Sequence, residues 1–93
     1  MDKKKLLLVL LEKLGQDWLP SKWLLVLVKE HELQEKTIES LLIIITDAIN
    51  HTENELMREK LNKATTFLQK LQQLEAEEKV HGEEELEELL ATI

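Results

Sequence analysis

The chain has no cysteine and no tyrosine, and its 93 residues include only two glycines and one proline. Without cysteine there is no disulfide to staple a small fold, and no thiolate to serve as nucleophile or metal ligand. This suits a reducing compartment. With glycine confined to Gly15 and Gly82, the backbone offers no glycine-rich phosphate loop and no nucleophile elbow around Ser21 or Ser40. Long apolar runs are missing as well. No stretch approaches the roughly 20 residues needed to span a bilayer. The start, Met1-Asp-Lys-Lys-Lys and then Leu6–Leu11, has the charge order of a signal peptide. The apolar run stops at Glu12-Lys13, however, and no small-residue cleavage site follows. These absences lead us to expect a soluble, cytoplasmic chain with no membrane partner.

What is present is leucine, glutamate and lysine, the composition of long helices or coiled coil. The formal net charge is −7, which repels phosphate backbones and argues against nucleic-acid binding. Arg58, Lys60, Lys63 and Lys70 lie in one region, but Glu53, Glu55 and Glu59 interrupt them. We read that stretch as a solvated mixed-charge face.

Helical spacing organises nearly the whole chain. Leu6/Leu7, Leu10/Leu11 and Leu14 mark one face of a helix over about 2–14, with Gly15 as a left-handed stop. Pro20 suits the first turn of a second helix that reaches Glu30 or Glu32. Ile38, Leu41, Leu42, Ile45, Ala48 and Ile49 define a third over about 34–50. The linker His31–Gln34 is short, so the second and third helices should pack as antiparallel neighbours. Thr52-Glu-Asn-Glu55 reads as a capping box opening a fourth helix that runs to about Lys79. Its seam is Met57, Leu61, Ala64, Leu68 and Leu71, widened by Phe67 and Leu74. Beyond Gly82, Leu86, Leu89, Leu90 and Ile93 share one helical face opposite a face of glutamate.

The expected architecture is therefore all-α. It is an antiparallel bundle of four helices over 1–81 with a long fourth helix, and a short acidic amphipathic C-terminal helix or tail over 82–93. At 1.5 Å per residue the fourth helix is about 40 Å long and its neighbours about 20–25 Å. Roughly one third of it, carrying Phe67, Leu68, Leu71 and Leu74, must then meet either the folded-back tail or a second subunit. Three blocks also stand out as apolar all the way round: Leu6–Leu11, Trp23–Val28 and Leu41–Ile45. Such helices are normally buried on every side. Together these features favour a homodimer.

Candidate chemistry is sparse. His31, His51 and His81 stand far apart. Glu78-Lys-Val-His81 is a single E-x-x-H, whereas di-iron bundles need two copies and two further inward glutamates. We expect no metal and no cofactor. The carboxylate pairs lie on exposed-looking faces, where acid/base chemistry gains no shifted pKa, so we expect no enzyme. Trp23 opens an apolar helix and is assigned to the core. Trp18, in the connector, is a candidate partner anchor because tryptophan is favoured at binding hot spots. Leu86-Glu-Glu-Leu89-Leu90 reads as L-x-x-L-L, a helix-in-groove pattern, although leucine-rich helices produce the string readily. The expected function is a non-enzymatic protein-interaction module that pairs with itself or with another protein. It would dock through apolar helix faces at Trp18, Phe67, Leu68, Leu71, Leu74, Leu86, Leu89 and Leu90. The alternatives are a helical binder of an apolar small molecule and a structural assembly subunit.

Overall fold

A computed structural model describes residues 3–76 and 82–93. These residues form five helices: α1 (Lys3–Leu14), α2 (Pro20–Glu30), α3 (Glu35–His51), α4 (Glu55–Ala76) and α5 (Glu83–Ala91). The protein is all-helical, with no strand among the described residues. The far end of α4 expected near Lys79, and the E-x-x-H at Glu78–His81, lie outside the described residues.

The chain is arranged as two helical hairpins. α1 packs on α2, and α3 packs along α4. α1 also touches α4, and α5 lies against both α1 and α4. The core runs through all five helices, from Leu6, Leu7, Leu10, Leu11 and Leu14 of α1 to Leu86 and Leu90 of α5.

α1 is not closed by a left-handed glycine. The one glycine with positive φ is Gly82. Gly15 donates its N–H to the Leu11 carbonyl, and Asp17 and Trp18 both donate to Leu14. The chain thus unwinds over a further turn before α2. Pro20 sits in the first turn of α2, where its missing N–H costs nothing. The Ser21 hydroxyl donates to the Leu11 carbonyl at 2.6 Å, a buried bond that ties the start of α2 to α1.

Two further expectations change. α2 and α3 meet at a groove between Leu27 and Ile44 but pack far less closely than α1 with α2 or α3 with α4. His31 and Gln34, which bound their link, are both extended (φ −123° and −132°, each with ψ 156°). Second, the cap of α4 is Asn54, not Thr52. Its Oδ1 accepts the N–H groups of Leu56 at 2.9 Å and Met57 at 3.2 Å, which satisfies two of the orphan donors at the helix start. Thr52 instead offers its backbone carbonyl to the Arg58 guanidinium.

Candidate interaction surface

The long fourth helix is covered by its own chain. Phe67, Leu68 and Leu71 are fully buried, Leu74 is nearly so, and Leu86 and Leu90 are buried with them. Leu89 and Ile93 are half-buried against the same cluster. Of the two ways to cover the surplus length of α4, the structure uses the tail. Phe67, Leu68, Leu71, Leu74, Leu86 and Leu90, expected at a partner surface, are buried within the chain, with at most 5% of each exposed.

Polar contacts hold α5 in place. The Lys13 ammonium donates to the Leu90 carbonyl at 3.0 Å and Lys63 donates to the Thr92 carbonyl at 2.9 Å. These lysines occupy the carboxyl end of the short helix, where orphan carbonyls and the helix dipole favour a cation. Lys70 pairs with Glu85 at 2.7 Å, and Lys3 pairs with Glu75 across α1 and α4 at 3.4 Å. Gly82 starts α5 at φ 126°, with Leu74 so close that an added Cβ would lie 2.6 Å from its Cδ2.

The two tryptophans exchange their expected roles. Trp18 is half-buried and packs against the core, so its ring is largely spent within the chain. Trp23 is 77% exposed. The reason is the phase of α2. Ser21, Leu24 and Val28 form the buried face. Leu19, Trp23, Val26 and Leu27 follow one another by four, three and one, and this second apolar stripe points outward. On α3 the buried face is Ile38, Leu41 and Ile45, and Ile43 and Ile44 project outward. A signal for this was present in the sequence. Glu30 follows Val26 by four and Leu27 by three. Asp47 follows Ile43 by four and Ile44 by three. A carboxylate at the end of each stripe marks it as the solvent side.

The two stripes adjoin. Leu27 and Ile44 line one open groove of about 190 Å³, with Leu41 among its walls and His31, Lys36, Thr37 and Ser40 around them. Leu42, Ile43, Thr46, Asp47 and Asn50 line a shallow depression farther along α3. Leu27 and Ile44 thus bring the two stripes together, and Leu19, Trp23, Val26 and Ile43 are the other exposed large apolar side chains on α2 and α3 and at the start of α2. Aliphatic side chains carry somewhat less area than the roughly 250 Å² of a tryptophan, so these exposures amount to about 600 Å². Patches of this size on a soluble chain are at the top of the range for monomers and mark interaction sites.

A second cleft, of about 420 Å³, lies where α4 begins, between Asp17, Met57, Lys60, Lys63 and Ile93. Its cations are engaged within the chain, Lys60 with Asp17 and Lys63 with the Thr92 carbonyl. Among the described residues no group of three or more histidines and carboxylates is placed to hold a metal ion. No helix of the described residues is long and apolar enough to cross a membrane. Compared with known families, curated proteins and solved structures, the chain matches no family model, no curated protein and no solved structure.

Proposed function

We propose that this chain is a non-enzymatic protein-interaction module that docks through the joined faces of α2 and α3. The proposal includes a cytoplasmic location and a bundle of four helices completed by an acidic fifth. One observation carries the reading: about 600 Å² of exposed apolar side chain, the largest share of it from Trp23, lies on the outer faces of α2 and α3, whereas the leucine seam of α4 from Leu61 to Leu74 is buried. Burial of such a face would supply affinity. Trp23 would act as the anchor, since a rigid aromatic loses little conformational freedom on docking. The charges around it, Lys22 and Lys29 on α2 and Glu39 and Asp47 on α3, would select among partners.

Site-specific photo-crosslinking in cells tests the reading. A photoreactive phenylalanine analogue would replace Trp23, Ile43 or, as a polar control, the exposed Glu53. The expected result is a discrete adduct of the same mass from positions 23 and 43 and none from position 53. Equal labelling from all three positions, or none from any, would contradict a docking face.

A further inference from the structure

We infer that the occupant of the α2–α3 face is a second copy of this chain, arranged about a two-fold axis so that α2 of each copy lies against α3 of the other. This rests on the interaction reading above and names its partner. Two observations point to self-docking.

The first is charge. α2 carries two lysines and one glutamate, whereas α3 carries three carboxylates and one lysine. Lys22, Lys29, Glu39 and Asp47 are all exposed. Lys22 and Lys29 are two helical turns apart, about 10 Å along the axis, and Glu39 and Asp47 are about 12 Å apart. Lys22 and Lys29 therefore match Glu39 and Asp47 in sign and in spacing, while Glu30 and Lys36 carry the opposite signs at the two helix ends that the link joins. α2 and α3 of the same chain meet at the Leu27–Ile44 groove, but among the described residues no ion pair joins Lys22 or Lys29 to Glu39 or Asp47, and Asp47 faces His51 instead, so this match is left unused within the monomer. A two-fold axis uses it twice, because an isologous interface repeats each contact.

The second is area. Stable interfaces bury about 800 Å² per partner. The apolar face supplies about 600 Å² of this, and its charged margin supplies the polar rim that interfaces of this size carry. The groove between Leu27 and Ile44 is about 190 Å³, the scale of one large side chain. It receives Trp23 of the second copy. The self-docked unit thus has both an anchor and a pocket on the same face, as an isologous contact requires.

Sedimentation velocity with paired charge reversals tests this. Variant one carries Lys22→Glu and Lys29→Glu, and variant two carries Glu39→Lys and Asp47→Lys. All four positions are exposed, so both variants are expected to keep the wild-type helical circular dichroism. The wild type should be dimeric. Each variant alone should dimerise roughly 10- to 100-fold more weakly, because four attractive contacts become repulsive. Mixed together they should recover dimer, since α2 of each again meets opposite charge on α3 of the other. A wild type that stays monomeric at all concentrations overturns self-docking. So does a dimer that neither variant weakens, or one that mixing fails to restore. If the chain is monomeric and crosslinks from positions 23 and 43 still reach a protein of another mass, the interaction reading stands and the second copy is excluded as its partner.

Discussion

Two amphipathic regions of this protein start from similar sequence and meet different ends. The acidic tail helix α5 buries Leu86 and Leu90 against α1 and α4, and lysines from those helices meet its carboxyl end and Glu85. The outer face of α2 and α3 is at least as apolar, yet Trp23, Val26, Leu27, Ile43 and Ile44 stay exposed. Hydrophobicity alone does not separate the two. The difference is that α5 meets a complementary surface within the chain, in charge as well as in apolar area. The outer faces of α2 and α3 have no such cover within the chain, and self-docking would supply it from a second copy.

The largest effect should come from placing a charge on the covered side. Leu68 is fully buried, and Leu68→Glu should cost about 4 kcal/mol or more and unfold the chain in a circular dichroism melt. A folded, merely dissociated Leu68→Glu would move that seam from core to interface and collapse the comparison. Next comes the tail. Leu86 is fully buried, and Leu86→Ala should lower stability by roughly 2–5 kcal/mol in chemical denaturation. An unchanged midpoint would mean that α5 is not part of the core.

Gly82 sharpens the same side. Its positive φ and the Leu74 contact penalise any side chain, so Gly82→Ala should cost about 1–3 kcal/mol. Asn54→Ala should cost about 1 kcal/mol through loss of the α4 cap. Thr52→Ala should cost much less, since Thr52 contributes its backbone carbonyl and not a capping hydroxyl. Thermal melts of the two alanine variants side by side distinguish them. The smallest effect on folding belongs to the open side. Trp23→Ser, measured at a concentration where the chain is monomeric, should change stability by no more than about 0.5 kcal/mol.

Much of the fold was legible from spacing. The helix limits expected from periodicity fall within a residue or two of those observed for α1, α2 and α3. Boundaries failed where two signals competed. Thr52 and Asn54 both make good caps two residues apart, and the asparagine, adjacent to the first helical residue, prevails. The site was less legible. In Trp23–Val28 and Leu41–Ile45 every face is apolar, so the apolar spacing alone fixes a helix without its inward side, and only Glu30 and Asp47 beyond those blocks mark the solvent side. The choice depends on partners brought together by the tertiary fold: Ser21 reaching Leu11 on α1 turns Trp23 outward. The seam of α4 was readable as a seam, but its cover was not. Phe67, Leu68, Leu71 and Leu74 look the same in sequence whether α5 or a second subunit lies over them.

Trp23 is exposed in the single chain, and self-docking would cover it with a second one. Fluorescence of a Trp18→Phe variant, which leaves Trp23 as the only tryptophan, measures this directly. Emission and acrylamide quenching would be followed from dilute to concentrated protein. Self-docking requires red-shifted, readily quenched emission in the dilute chain that turns blue-shifted and protected as concentration rises. Emission that stays red-shifted and quenchable at every concentration would contradict it.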